Sequence, residues 1–427
     1  MSFKNLFFWG VKMTVEIIPS KLHGEIKAIS SKSDIHRLII CSAFSDKKTE
    51  IKLNILSEDI MATLNSAKAL GADFKLYDES VVIYPIKKPV FDAHLNCNES
   101  GSTIRFLIPV AAALSDKTTF YGTKRLSERP LDSLKTEMGK NGCLFKKPEE
   151  YEKSKEIIPI ITVSNKLKSG IFNLPGNVSS QFISGLIFTL PLLKGNSIIN
   201  ITPPFESKGY VKMTIETVKK FGIIIENSDE NIFKIKGNQQ YKSPGIINSE
   251  GDWSNSAFWI AANCLGNKIN CIGLSEKSVQ PDMAILKLSD ELQNIKNEII
   301  KIDAAQIPDL IPIVAFVAAA IPVKVRIYNA ARLRIKESDR LYAVAKNIKA
   351  LGGDIEEFPD ELLIHGKNGL NGGKIDSFND HRIVMAAAIL STASKNKVII
   401  YKADAVNKSY PSFFEDFKKL GGIYNVI

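Results

Sequence analysis

Two hydrophobic patterns alternate along the chain. In the first, an amphipathic segment ends in glycine, and alternating apolar residues follow on either side of a polar turn. It occurs as AKALGADFKLYDESVVIYP around Gly71, KKFGIIIENSDENIFKIKG around Gly222 and IKALGGDIEEFPDELLIHG around Gly352. Shorter versions are MGKNGCLFK at Gly142 and KKLGGIYNV at Gly421. Glycine after a helical stretch is the expected C-cap, and the alternation beyond it predicts a hairpin. The second pattern is apolar nearly all round: HRLIICSAF at 36–44, RFLIPVAAAL at 105–114, FISGLIFTLPLL at 182–193, AFWIAANCL at 257–265, LIPIVAFVAAA at 310–320 and RIVMAAAIL at 382–390. A helix with no polar face is buried.

The spacing of the glycines reveals a repeat. Gly71 to Gly142 is 71 residues, Gly142 to Gly222 is 80, and Gly352 to Gly421 is 69. The gap of 130 from Gly222 to Gly352 is about two periods, and a glycine-free copy, LKLSDELQNIKNEIIKI near residue 294, fits inside it. A period this long is a whole supersecondary unit rather than a short solenoid repeat. Six units predict two domains of three. Each unit holds one buried helix and one amphipathic cover helix, so the fold class is mixed α/β (α+β), with two inside-out α/β domains of repeated βαβαββ-type units.

Composition narrows the class without naming it. The chain has 427 residues, 44% apolar and 24% charged, as in an ordinary globular protein and unlike a disordered or collagenous one. The net charge of +10 suits acidic partners of any kind. Cys41, Cys97, Cys143, Cys264 and Cys271 show no paired spacing, so reduced thiols in the cytoplasm are expected, with no disulfide framework and no metal site. The apolar run at 310–323 is too short to span a bilayer. The start, MSFKNLFFWGVKM, lacks a small-residue cleavage site and predicts no signal peptide. Residues 1–12 read as a dispensable extension, with the first strand beginning near Thr14.

Candidate chemistry gathers at the starts of the buried helices. The turns are Ser30–Ser33, Glu99–Thr103, Val178–Gln181, Glu250–Ser254, Ile307–Asp309 and Asn379–His381. Small hydroxyls, Gly and Asp suit N-caps. A helix start also presents free N–H groups that bind anions, and Lys32, Arg37, Arg105 and Arg382 stand in or just after these turns. Cations there oppose the helix dipole, so a cluster of them calls for an anion. The densest charge is KESDR at 336–340. Helical spacing would put Lys336 and Arg340 on one face with Glu337 one position round, and Glu337 beside Lys336 makes an acid/base couple. The phosphate loop, the dinucleotide fingerprint, HExxH and GxSxG are all absent. Basic residues are not interleaved with aromatics, which argues against nucleic acid.

Taken together, SKSDIHR (31–37), ESGSTIR (99–105), ERP (128–130), SSQF (179–182), GDWSNSA (251–257), IPD (307–309), KESDR (336–340), NDHR (379–382) and VNKSYPSFF (406–414) resemble the 5-enolpyruvylshikimate-3-phosphate synthase family, in that family's order from about Ile17 to the end. The resemblance implies one domain of residues 31–250 and another of 1–30 plus 251–427, with the active site in the cleft between them. It implies transfer of the enolpyruvyl group of phosphoenolpyruvate to the 5-hydroxyl of shikimate-3-phosphate, without cofactor or metal. Each substrate carries a phosphate and a carboxylate, roughly −2.5 to −3 charges, and arginine forks match such anions.

Carried over by motif, Lys32, Gly101, Ser102, Arg129, Arg340, His381, Arg382 and Lys408 would bind phosphoenolpyruvate. Ser33, Arg37, Ser179, Ser180, Gln181, Ser207, Tyr210, Asp309 and Lys336 would bind shikimate-3-phosphate. Asp309 would take the hydroxyl proton. Glu337, helped by Lys32, would protonate the methylene carbon and later deprotonate the methyl. The chain departs from the family's usual Asn at Glu99, Thr at Ser102, Pro at Phe106 and Asn at Arg332. The alternative is the sister transferase acting on UDP-N-acetylglucosamine, but its loop cysteine is missing from Gly122–Glu128. The partners expected are these small molecules alone, with no nucleic acid, no membrane and a monomeric chain.

Overall fold

The structure is a computed structural model that describes residues 12–148, 156–294 and 298–427. It gathers into two compact units, Lys32–Ser249 and the described residues 12–31 together with Glu250–Ile427. The expected dispensable extension falls, apart from Lys12, outside the described residues.

The helices of the first unit are α1 (Lys32–Ala43), α2 (Glu58–Ala69), α3 (Gly101–Leu114), α4 (Lys124–Ser127), α5 (Asp132–Lys140), α6 (Ser180–Thr189) and α7 (Lys208–Lys220). Helices α1, α3 and α6 are the apolar ones, and they are buried along nearly their whole length. Helices α3 and α6 serve as crossovers, because two parallel strands of one sheet need a long connection. Strand Asp92–Asn96 leads through α3 to a parallel partner, Lys117–Thr123. The antiparallel strands Leu144–Lys146 and Ile157–Ser164 complete that sheet. Ile171–Pro175, α6 and Ser197–Thr202 repeat the pattern with the hairpin Ile225–Asp229 and Ile232–Ile235. In the remaining repeat, Thr49–Lys52 pairs with the hairpin Asp73–Tyr77 and Ser80–Tyr84. Its parallel edge strand is Ile246–Asn248, from the far end of the unit, with Ile51 opposite Ile247. Helices α3 and α6 touch closely because residue 185 is glycine: a Cβ there would lie 2.6 Å from the Arg105 carbonyl oxygen.

The second unit holds α8 (Trp253–Ala262), α9 (Ile285–Asn294), α10 (Ile311–Ala319), α11 (Arg340–Ala350), α12 (His381–Ser391) and α13 (Phe413–Lys419). Every residue of α10 and of α12 is buried. Each large aliphatic or aromatic side chain so placed contributes roughly 1.5–3 kcal/mol. Ile299–Asp303 and Lys324–Tyr328 run parallel and carry the hairpin Asp354–Glu357 and Leu362–His365. Gly373–Asp376 and Val398–Tyr401 do the same, but their antiparallel pair is Val15–Ile18 and Ile423–Val426, drawn from the two ends of the described chain.

Two local expectations are corrected. The glycine-free copy supplies the cover helix α9, but no hairpin follows among the described residues. The next strand, Ile299–Asp303, already belongs to another sheet, and His23–Lys27 pairs with Lys268–Ile272 in a sheet of two. Without the C-cap glycine and a polar turn, the chain has nothing from which to fold a hairpin there. Second, Lys336 and Arg340 do not share a helix face. The helix α11 begins only at Arg340, because Asp339 takes the N-cap position and accepts from Tyr342 N. Lys336 is extended, at φ −84° and ψ −161°.

Candidate active site

In the second unit the charged residues converge on Asp309. Its segment does not cap α10, whose N-cap residue is Leu310 and lacks a side-chain cap. The Asp309 carboxylate instead accepts from Arg340 Nη1 at 2.9 Å and Arg382 Nη2 at 3.0 Å, with Lys336 Nζ at 3.6 Å. Arg382 Nη1 also donates to the Asp309 carbonyl, and its Nη2 to Ser254 Oγ. Arg340 reaches Glu337 Oε2 at 2.7 Å through Nη2, and Asp380 Oδ2 at 2.8 Å through Nε. So the two residues of KESDR expected on one helix face meet at one carboxylate through an extended turn and a helix start.

Electrostatics follow from this packing. Burial alone would raise the Asp309 carboxyl, but Arg382, Lys336 and Arg340 together hold it well below the usual carboxylate range, against Glu337. Burial lowers Lys336 to about 8; Asp309 pulls it up, and Arg340 and Arg332 push it down. Arg340 is raised, because burial is outweighed by Asp380, Glu337 and Asp309. Asp380 is the anchor. It is fully buried, caps α12 through Arg382 N, and accepts from Ser338 Oγ as well as Arg340. The turn before it holds Phe378 and Asn379 at φ 53° and 57°, a left-handed pair costly for side-chain-bearing residues. Lys408 Nζ donates to the Asn379 carbonyl. His381 is buried, with Nδ1 3.9 Å from Asp380 Oδ1, beyond hydrogen-bond reach.

The first unit places its predicted residues at helix starts. Lys32 opens α1, and its Nζ lies 2.7 Å from Asp59 Oδ2 in the first turn of α2. Asp59 offsets a cation that the α1 dipole disfavours. One turn on, Arg37 donates to the Ser33 and Tyr210 carbonyls and to Thr214 Oγ1, tying α1 to α7. Burial lowers Arg37 to about 10, against Asp34, Tyr210 and Cys41. The Phe106 ring lies 5.2 Å from its guanidinium carbon. Ser207 starts α7 in the left-handed region, at φ 55° and ψ 38°. Gly101 starts α3 hard against two guanidinium groups: a Cβ would lie 2.5 Å from Arg129 Nη1 and 2.7 Å from Arg105 Nη1, so both would have to shift. Gln181 links the starts of α3 and α6, donating to Ser102 Oγ and accepting from Arg105 Nη1. Ser179 caps α6, and Ser180 is buried beside it.

Ser254 and Asp380 lie in turns singled out by sequence but carry no assigned role there, and Asp59 lies in none of them. Of these, Asp380 left a signal, since an aspartate just before His381 and Arg382 is both a cap and a counter-charge. Asp59 and Ser254 lie far in sequence from Lys32 and Arg382, and only folding brings them together.

Repeated buried helices whose starts carry clustered cations define a protein that handles small, multiply charged anions. The family model for EPSP synthase (3-phosphoshikimate 1-carboxyvinyltransferase) matches residues 17–417. A 3-phosphoshikimate 1-carboxyvinyltransferase of Clostridium perfringens strain 13 is 43% identical over 426 residues, covering 96% of this chain and 98% of its own. That of Clostridium acetobutylicum is 44% identical over 425 residues, covering 96% and 97%. The solved EPSP synthase of Acinetobacter baumannii shares the fold, with a TM-score of 0.77 at 20% identity, covering 97% of this chain and 100% of that one. The chain belongs to the EPSP synthase family.

Proposed function

We propose that the chain transfers the enolpyruvyl group of phosphoenolpyruvate to the 5-hydroxyl of shikimate-3-phosphate, releasing phosphate by addition and elimination, and that residues of both units serve this one reaction. The observation that carries the reading is the Asp309 cluster, where one carboxylate is gripped by Arg340, Arg382 and Lys336 with Glu337 on the same arginine.

Arg382, Lys336 and Arg340 hold the Asp309 carboxyl well below the usual carboxylate range, which makes it a weak base. Substrate phosphates and carboxylates bring their own negative charge to Arg340, Arg382, Lys336 and Lys408. Their hold on Asp309 then weakens and its basicity rises toward the useful range. Asp309 accepts the proton of the 5-hydroxyl as that oxygen bonds to C2 of phosphoenolpyruvate. Glu337, with Lys32, delivers a proton to C3, which becomes a methyl group. In the second half Glu337 takes a methyl proton back, the double bond re-forms and phosphate leaves from C2. Lys32, Gly101, Ser102, Arg129 and His381 complete the phosphoenolpyruvate site. Ser33, Arg37, Ser179, Ser180, Gln181, Ser207 and Tyr210 hold shikimate-3-phosphate.

The test is a coupled assay of phosphate release from phosphoenolpyruvate. Release with shikimate-3-phosphate and none with UDP-N-acetylglucosamine supports the reading; the reverse preference would assign the chain to the sister reaction.

A further inference from the structure

A second polar chain crosses the first unit, built from residues that the reaction above does not use. His36 Nδ1 lies 2.7 Å from Thr63 Oγ1, Thr63 Oγ1 lies 2.6 Å from Thr103 Oγ1, and Thr103 Oγ1 lies 2.7 Å from Ser100 Oγ. All four side chains are buried. Ser100 Oγ also accepts from Thr103 N, capping α3 one residue before Gly101. At its other end Thr63 Oγ1 also lies 3.4 Å from the Asp59 carbonyl oxygen. His36 is one turn beyond Lys32 on α1, and Thr63 is one turn beyond Asp59 on α2. The Lys32–Asp59 ion pair joins the two helices at their starts.

Burial explains why this matters. A hydroxyl left unpaired in a core is destabilising, whereas paired apolar groups of the same shape are nearly neutral. Valine would fill the volume of either threonine, so packing alone does not call for hydroxyls here. What hydroxyls add is direction. His36 Nε2 is buried with no partner among the described residues, and a bare acceptor there costs less than an orphaned N–H. The imidazole proton therefore belongs on Nδ1, and the donors run one way, from His36 through Thr63 and Thr103 to Ser100. A one-way chain fixes the axial position and rotation of α3 against α1 and α2. Helix α3 begins with Gly101, where a methyl group would displace the Arg129 and Arg105 guanidinium groups.

We propose that Thr63 and Thr103 are positioning residues for phosphoenolpyruvate: their hydroxyls hold the Gly101–Ser102 start of α3 in register with the Lys32–Asp59 pair. This rests on the reading that Lys32, Gly101 and Ser102 bind that substrate. It adds that the register is set by side chains which never touch it.

The experiment compares Thr63→Val, Thr103→Val, the double variant, Thr103→Ala and Thr103→Ser, with Lys32→Ala as reference. The readouts are KM for each substrate, kcat and melting temperature. Either valine removes two links of the chain at once, and each link corresponds to up to about a tenfold change. We expect KM for phosphoenolpyruvate to rise by about that factor in each valine variant, while KM for shikimate-3-phosphate stays within about twofold. The double variant should be little worse than either single one, because both break the same chain. Thr103→Ser should return to near the parent value. Thr103→Ala gives the same reading should the valines fail to fold. A folded Thr103→Val or Thr103→Ala protein with unchanged KM for phosphoenolpyruvate overturns the proposal, as does a parallel rise for both substrates. If Lys32→Ala leaves KM for phosphoenolpyruvate unchanged, the underlying site assignment fails instead.

Discussion

Replacing Asp309 with asparagine removes one charge and keeps the shape, and the structure allows both consequences to be sized. Breaking a buried ion pair typically costs about 3–5 kcal/mol when the partner is stranded. Here the cost is smaller. Arg340 keeps Asp380 at 2.8 Å and Glu337 at 2.7 Å, Arg382 keeps Ser254, and Asp309 is itself 21% exposed. The asparagine oxygen retains one bond. About 1–2 kcal/mol remains, or roughly 2–8 °C in melting temperature for a unit of this size. A protein with ordinary stability stays folded at 25 °C after such a loss. Turnover, by contrast, should fall at least ~100-fold, the usual scale for losing a general base.

The pH dependence gives an independent signature. Asp309 titrates below its unfolded value. Its stabilising contribution is therefore present above the ordinary carboxylate range and disappears as pH falls through its folded value. Asp309→Asn should lose that part of the acid limb. It should also lower Lys336 further below about 8, because Asp309 is the group that pulls it up. The assay is steady-state turnover across pH 5–9 and thermal unfolding of the same sample from pH 9 down to about pH 2, where the acid limb lies. A folded, fully active Asp309→Asn enzyme would refute the reasoning.

Glu337→Gln should cut turnover by a similar ~100-fold while leaving shikimate-3-phosphate binding intact by calorimetry; undiminished exchange of phosphoenolpyruvate methylene protons with solvent would remove Glu337 from carbon protonation. Lys336 has a folded pKa below its unfolded one, so its charged form costs stability below about pH 8. Lys336→Met should therefore leave the melting temperature at pH 7 unchanged or higher, yet raise KM for shikimate-3-phosphate at least ~10-fold; a marked drop in melting temperature would contradict that. Gly101→Ala should push Arg129 and Arg105 aside and raise KM for phosphoenolpyruvate with little effect on the other substrate; equal effects on both would place Gly101 elsewhere.

Periodicity carried most of the fold. The six buried helices fall where continuous apolar runs occur, because a helix with no polar face has only one stable location. The hairpins after Gly71, Gly222 and Gly352 were legible for a similar local reason, since a C-cap glycine and a polar turn act within a few residues. The missing hairpin after α9 shows the limit: a faint copy of a pattern, without its glycine, kept the helix and lost the strands. The KESDR turn shows another. Helical spacing was the natural reading of Lys336 and Arg340, but Asp339 competes as an N-cap and starts the helix late. Partners remote in sequence, such as Asp59 for Lys32 and Ser254 for Arg382, leave no local mark at all. Arg37 was read as awaiting an anion, and it also has three acceptors in the protein.

The central claim is an addition–elimination at C2 and C3 of phosphoenolpyruvate, and it is tested most directly by running the reaction in deuterium oxide under NMR observation. The account predicts one phosphate released for each vinyl ether formed on the 5-oxygen of shikimate-3-phosphate. It also predicts deuterium in the methylene positions of both the product and the recovered phosphoenolpyruvate, because C3 becomes a methyl group in the intermediate. Vinyl ether formed without deuterium, or phosphate released without vinyl ether, would contradict it.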